Sequence, residues 1–343
     1  MEIAVRRFKE GKPWTCIAGY AGSGKSTLVK FIIEALNVPH EEVCYVAFTG
    51  KAATVLKQKG CPNAVTAHKL LYKAKPKPDG TFIFIPKGTD ELSEYSVIVV
   101  DEVSMLPKKM WNLLISHGIY VIALGDPGQL PPVSKDDDNQ VLDYPHVFLD
   151  EIMRQAQESE IIRLSMHIRD GKPLEEFQCA GQQVQIFTPE QVVSGMYEWA
   201  DQILCATNAT RININNFVRQ QKGFGEEPEI GDKIISLRNH WEEFSKSGNW
   251  ALTNGAIGTI TDCFRNPVFV PKYIYDKPVQ FLFTSMKLED DDVFNSLPID
   301  YICLKNGQSP LTSKQQYQMS VNKKCPAPPY EFAYAYAITT WKA

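Results

Sequence analysis

No apolar run in these 343 residues is long enough for a helix to cross a bilayer. No signal peptide opens the chain, so a cytoplasmic protein without a membrane partner is expected. The eight cysteines include no C-x-x-C pair. That excludes a zinc ribbon or a disulfide framework and points to reduced, mostly buried thiols. No segment repeats at a fixed period, which removes solenoids and propellers. Positive charge is not in excess either, with 36 Lys and Arg against 40 Asp and Glu. At a net charge of −4, nucleic-acid binding must come from a local groove rather than from global attraction. The acidic runs at 136–138 and 289–292 read as solvated loop tips.

What is present is an ordinary globular composition, 44% hydrophobic and 22% charged, with chain enough for two or three domains. One motif stands out. Gly19-Tyr20-Ala21-Gly22-Ser23-Gly24-Lys25-Ser26 fits the phosphate-loop pattern G-x-x-x-x-G-K-[ST]. The glycines let the backbone fold tightly and turn its N–H groups toward phosphate oxygens. Gly22, Ser23, Gly24, Lys25, Ser26 and Thr27 are the expected nucleotide contacts. Lys25 can reach the β- and γ-phosphates, and the Ser26 hydroxyl can bind Mg²⁺. Residues 14–18 read as a buried strand before the loop. Residues 27–36 read as an amphipathic helix whose N-terminus receives the phosphates.

Strand-like apolar runs recur at 14–18, 43–48, 97–101 and 120–124, with helical patterns between them. This is the texture of an α/β fold with a parallel sheet. A further strand at 203–206 starts a second α/β unit. From Gly231, short alternating runs at 233–237, 256–261 and 279–286 predict a small β-rich insert. Residues 323–329 read as a linker, after which a strand resumes over 331–339. The expected domains are therefore 1–150, 151–230 with 330–343, and an insert over 231–329. Asp79-Gly80 followed by alternating residues predicts a β-hairpin within about 72–90.

Two further segments suit phosphoryl chemistry. Val97-Ile98-Val99-Val100-Asp101-Glu102 is an apolar strand ending in two carboxylates. Asp101 can hold Mg²⁺, and Glu102 can take a proton from the attacking water. Gly125-Asp126-Pro127-Gly128-Gln129-Leu130-Pro131-Pro132-Val133 follows another buried strand. Gln129 thus emerges at the same sheet edge, where an amide can sense the γ-phosphate and orient water.

These segments, with VAFTGKAATVL at 46–56, TAHKLL at 66–71, Met153-Arg154-Gln155, ATNATRININ at 206–215, LTNGAIG at 252–258 and AITTWKA at 337–343, stand in superfamily 1 helicase order. The chain most resembles the superfamily 1B branch, RecD/TraA-like and phage Dda-type, over nearly its whole length. The resemblance implies two RecA-like P-loop domains with ATP and Mg²⁺ between them and single-stranded DNA across both. It also implies a β-hairpin pin in the first domain and an SH3-like β insertion in the second. At matching positions, Arg154 is implied as an arginine that meets the γ-phosphate. Thr49, His68, Asn208, Arg211 and Thr339 are implied as DNA contacts. Phe82 or Phe84 is implied as a pin aromatic, with packing against the domain as the alternative. Trp241, Phe244 and Trp250 are stacking candidates on the insert, core packing being equally open.

The pattern departs from the family at both ends. No adenine-reading glutamine lies in residues 1–11, and after Thr339-Thr340-Trp341-Lys342-Ala343 the last motif with its second arginine is absent. The expectation is an ATP-dependent 5′-to-3′ DNA helicase, monomeric, acting on single strands and on single-to-double-strand junctions, and truncated as given. The alternative is a catalytically impaired nucleotide- and DNA-binding remnant of such an enzyme.

Overall fold

The structure is a computed structural model that describes residues 1–76, 82–129, 139–151, 159–179, 183–248 and 250–339. The Asp79-Gly80 turn, residues 130–138, Arg154 and the terminal 340–343 lie outside the described residues, as do the side chains of Phe82 and Trp241. The chain divides into two compact units, Met1–Lys73 with Pro86–Val192, and Ala74–Ile85 with Val193–Ala343.

The first unit runs α1 (Glu2–Lys9), β1 (Trp14–Gly19), α2 (Lys25–Leu36), β2 (Val43–Ala47), α3 (Gly50–Gln58), β3 (Val65–Thr66) and α4 (Ala67–Leu71). In the chain the hairpin strands β4 (Tyr72–Pro76) and β5 (Phe82–Pro86) come next, their Ala74–Ile85 stretch grouping with the second unit, and the first unit resumes with β6 (Val97–Val100), α5 (Lys108–Ser116), β7 (Tyr120–Gly125), β8 (Val147–Leu149) and α6 (Glu160–Arg169). Among the described residues the main sheet has the order β3-β2-β6-β7-β1-β8. Its pairs are parallel.

Both faces of this sheet are covered, which is why strands such as Val97–Val100 are apolar at every position. Alternate residues serve opposite layers. Cys16, Val46, Ile98, Val100 and Val121 meet Leu70 and Leu71 of α4 and Met110, Trp111 and Leu114 of α5. Ile17, Val43, Val97, Val99 and Ile122 meet Ala4 of α1 and Val29, Ile32 and Ile33 of α2. The α1 helix was not among the expected elements. Its charged sequence hides the signal, since only Ala4 is buried.

The second unit runs α7 (Ser194–Trp199), β9 (Ile203–Cys205), α8 (Asn208–Gln221), β10 (Lys233–Ser236), β11 (His240–Phe244), β12 (Ala251–Leu252), β13 (Ile257–Val268), β14 (Val279–Lys287) and β15 (Val293–Asp300). It ends with α9 (Tyr301–Asn306), α10 (Ser313–Val321), β16 (Phe332–Tyr334) and β17 (Ala337–Thr339). A five-stranded sheet has the order β15-β14-β13-β10-β16. Its core gathers Ile234, Leu282, Met286, Phe294, Leu297 and Phe332. Pro298 lies on the edge strand β15, where a missing N–H costs least.

Two expectations need correction. The run 331–339 is not one strand: β16 pairs with β10 in the five-stranded sheet, while β17 pairs in parallel with β9. The break comes at Ala335, whose N–H still bonds Lys233 O, and Tyr336, whose carbonyl accepts from Ile203 N. The β-rich segment also carries two helices, α9 and α10, started by Asp300 and Thr312 caps. The acidic run 289–292 is, as expected, a solvated tip, the turn between β14 and β15, and its carboxylates also take local bonds. Trp250 Nε1 donates to Asp290 at 2.6 Å, Lys287 bonds Asp291 at 3.0 Å, and Asp292 accepts from Ser247 N and Val293 N. Hydrogen bonds from Ser247 and Ser245 push the Asp292 carboxyl down to about 2.

Candidate functional site

The phosphate loop joins β1 to α2 as the sequence requires. Gly22 and Gly24 take φ of 78° and 82°, a left-handed backbone that side chains disfavour. A Cβ on Gly19 would come within 2.8 Å of Leu149 O, so close packing against β8 also demands glycine. Lys25 Nζ donates to Gly19 O at 2.7 Å and Tyr20 O at 2.9 Å, and Ser23 Oγ donates to Tyr20 O. Burial pulls the Lys25 ammonium below its ordinary range, while Asp126 and Asp101 pull the other way. Gly24 offers α2 no side-chain cap, and no acidic residue occupies the helix's first turn. Its leading N–H groups therefore face the loop under an uncompensated positive dipole end. Ser26 and Thr27 are exposed there.

Strand β7 lies between β1 and β6. The loops leaving the carboxyl ends of all three strands are therefore neighbours, and each carries an expected site group: Lys25 after β1, Asp101 and Glu102 after β6, Gln129 after β7. Burial raises the Asp101 carboxyl, opposed by the Glu102 N–H (3.1 Å) and then by Lys25. Glu102 is also raised, first by partial loss of hydration and then by the Asp101 charge, although much of its surface is open to solvent. It adopts φ 55°, unusual for a side-chain-bearing residue, which turns the chain sharply at the strand end. Asn139 holds the following turn, donating at 2.7 Å to both Val103 O and Leu106 O.

Sequence reading missed a residue at this edge. Arg169, at the end of α6, donates through Nη2 to both oxygens of the buried Asp126, at 2.9 and 3.1 Å. Asp126 Oδ1 accepts from Gly128 N at 2.8 Å, and Gln129 N bonds Asp126 O at 3.0 Å. The Arg169 guanidinium also lies 4.2 Å from the Tyr20 ring centroid. One cation thus ties the Gln129 turn to the phosphate loop. A Cβ on Gly128 would approach Arg169 Nε to 2.3 Å, so the guanidinium occupies space that only glycine leaves. A lone arginine at a helix end gives no such signal in sequence.

A family model described as an AAA domain matches residues 2–189, more than half of the chain. The chain belongs to this family, within the superfamily 1B helicases. Among relatives of this helicase-family chain, the ATP-dependent DNA helicase dda of Enterobacteria phage T4 is 26% identical over 259 residues, covering 69% of this chain and 58% of the phage protein. The ATP-dependent RecD2 DNA helicase of Deinococcus radiodurans is 31% identical over 161 residues, 46% of this chain and 22% of that protein. The chain thus spans under two thirds of the length of these relatives. A crystal structure of Pif1 helicase from Bacteroides in complex with ADP-AlF3 and ssDNA superposes with a TM-score of 0.50 at 18% identity, covering 98% of this chain and 82% of that one. This likeness supports the RecA-like α/β fold.

Other expected site residues of this helicase-family chain fall as follows. Thr49 caps α3 at the end of β2, its Oγ1 accepting from Ala52 N at 3.3 Å. His68 is exposed on α4, 6.4 Å from the Phe48 ring and 6.1 Å from the Tyr72 ring, so it is not a core histidine. In the second unit, Thr339 Oγ1 and Asn208 Oδ1 lie 3.5 Å apart where β17 ends and α8 begins. Arg211 is half-buried against Gly307, whose Cβ would stand 3.3 Å from its Nη2. Phe84 is 52% exposed on the hairpin, whose arm Ala74–Ile85 belongs with the second unit. Phe244 is exposed, whereas Trp250 packs on the insert core with its N–H on Asp290.

Proposed function

We propose that this chain is an ATP-dependent DNA helicase motor that moves 5′ to 3′ on single-stranded DNA. The observation that carries the reading is the convergence of the Lys25 loop, the Asp101–Glu102 pair and the Gln129 turn on one edge of the parallel sheet. Phosphoryl transfer needs mainly positioning and charge stabilisation, and these groups supply both. Lys25 exchanges its bonds to Gly19 O and Tyr20 O for phosphate oxygens, with the N-terminus of α2 adding N–H donors. The raised Asp101 is a half-buried carboxylate short of positive charge, which suits a cation. Among the described residues no three His, Cys, Asp or Glu cluster to hold a metal alone, so phosphate oxygens would complete the shell. Ser26 and Asp101 would hold Mg²⁺, which when bound offsets charge on the phosphates. Glu102 takes the proton of the attacking water, and a carboxyl raised toward neutrality is better matched to that task. Gln129 orients the water, while Arg169 keeps its turn in register with the phosphate loop.

Thr49 and His68 in the first unit, and Asn208, Arg211 and Thr339 in the second, are the proposed strand contacts. The hairpin with Phe82 and Phe84 is the proposed wedge, and the five-stranded sheet the proposed SH3-like insertion. Arg154 is the proposed γ-phosphate arginine. The test is ATP turnover with and without single-stranded DNA. Glu102→Gln keeps size and hydrogen bonding but loses the base, so Mg-ATP binding should persist while turnover falls by roughly a hundredfold or more. Lys25→Ala should lose both. Mg-ATP binding without any DNA-stimulated turnover in the unaltered chain would sink the motor reading.

A further inference from the structure

In the second unit, the β13–β14 ribbon ends in a ten-residue connection, 269–278, that is anchored firmly yet leaves its aromatics in solvent. Val270 and Ile274 are buried with Val279, Phe281 and with Leu311 and Met319 beside and on α10. Ile274 N and Tyr275 N both bond Pro271 O, closing a compact turn. Phe269 and Tyr273 are nonetheless 80% and 72% exposed. Phe264, 57% exposed, is the outer ring of a stack. It lies on Phe283 at 5.1 Å and 12°, and Phe283 lies on the buried Phe281 at 5.8 Å and 18°. Tyr273 is held in place, its hydroxyl accepting from Asn322 Nδ2 at 2.8 Å. Single exposed apolar residues are ordinary on a surface. Three rings on one anchored ribbon end are a different arrangement.

The charge around them is reversed relative to the whole chain. Lys272 and Lys277 flank the rings on the connection. Lys323 and Lys324 follow Asn322 and precede Cys325, which packs with Val268, Tyr275 and Phe283. All four lysines are exposed. Among the described residues none has a carboxylate within ion-pair distance, and Asp276 is the acidic residue of the connection. Arg265 does not add to the patch, because it turns to Gln280 and the Tyr301 ring.

We infer that this ribbon end is an auxiliary site for single-stranded nucleic acid, separate from the proposed motor contacts. Exposed rings give sequence-tolerant stacking platforms for bases, and unpaired lysines track the phosphates. An acidic protein lacking general attraction for a polyanion gains a local handle here.

The test measures binding of the whole chain to a fluorescent oligothymidylate of about 30 nucleotides, long enough to engage more than one site. Phe269→Ala with Tyr273→Leu should weaken binding at least tenfold, given what one stacked base contributes. Lys272→Gln with Lys324→Gln should flatten the slope of log affinity against log salt by about 1.4, two phosphate contacts' worth. Melting temperature and DNA-independent ATP turnover should not change in either variant. A photocross-linking p-benzoylphenylalanine at position 269 should label the oligonucleotide. Unchanged affinity and salt slope would overturn the inference. So would cross-links that join only protein to protein, which would make this surface an interface with a second copy or another protein. The outcome does not depend on the motor reading, since cross-linking at 269 is scored even if the unaltered chain hydrolyses nothing.

Discussion

Under the proposed function, Asp101 carries a conflict between folding and cation binding. Its carboxyl is lifted chiefly by burial, against the pull of the Glu102 N–H and Lys25. A carboxyl whose folded pKa exceeds its unfolded value favours the fold only where it is protonated, and that contribution is lost as pH rises through the folded pKa. Near neutrality the ionised Asp101 is therefore a cost in the nucleotide-free protein. Asp101→Asn should raise the melting temperature at pH 7 to 8 by roughly a few degrees, and the gain should shrink toward zero as pH falls below about 4. The same variant should lose its Mg-ATP-dependent rise in melting temperature. Melting curves across pH, with and without Mg-ATP, check both; an equal or lower melting temperature for Asn at pH 8 would contradict the desolvation argument. Most of this site was legible in the sequence, because glycine spacing and a strand ending in Asp-Glu are local patterns. Arg169 was not. Its partners Asp126 and Tyr20 stand 43 and 149 residues away, and nothing local marks a helix-end arginine as a tie.

Between elements, buried ion pairs are the joints. In the second unit, α8 is fastened by Arg219, which bonds Asp232 through Nε at 2.8 Å and Nη2 at 3.1 Å and lies 4.3 Å from the Tyr334 ring centroid. Asp232 also accepts from Glu229 N and the Tyr336 hydroxyl, so helix, turn and β16 region meet on one carboxylate. Removing one partner strands a desolvated charge. Arg219→Met should therefore cost about 3–5 kcal/mol in urea unfolding, with Asp232→Asn on top recovering part of the loss. A single-variant cost under about 1 kcal/mol would mean that solvent reaches the pair. In the first unit, Arg169→Ala should destabilise for the same reason and also raise the KM for ATP. Arg169→Lys should restore stability more than KM, because an ammonium pairs with Asp126 but presents no plane to Tyr20. Element reading from sequence went well where one periodicity held, as in α2 and β6. It failed over 331–339, where an unbroken apolar run serves two sheets and only pairing partners reveal the division.

At the scale of the whole molecule, charge decides how nucleic acid can be met. With a net −4, affinity for single strands must come from local contacts and should fall steeply between low and moderate salt as cations are released from the phosphates. Under the proposed function, His68→Ala and Arg211→Ala should each weaken oligonucleotide binding without altering Mg-ATP affinity. Anisotropy with single- and double-stranded probes at two salt concentrations is the measurement. Salt-insensitive binding, equal for both probes, would contradict a single-strand groove. Arg211 carries the greater structural burden of the two, being half-buried against Gly307, so its melting temperature belongs beside its affinity.

Sequence alone determined the phosphate loop, the two carboxylates and the α/β alternation, because each rests on chain neighbours: backbone turns that need glycine, strands buried on both faces, helices with one apolar side. Tertiary structure alone decided that β7 lies between β1 and β6, so that the Gln129 turn stands beside the Lys25 loop and the Asp101–Glu102 pair. It alone decided that Arg169 is tied to Asp126, that 331–339 divides between two sheets, and that Phe264, Phe269 and Tyr273 remain in solvent while their neighbours are buried. Each of these depends on which distant segment arrives alongside, and an aromatic residue reads the same in sequence whether its ring is covered or bare.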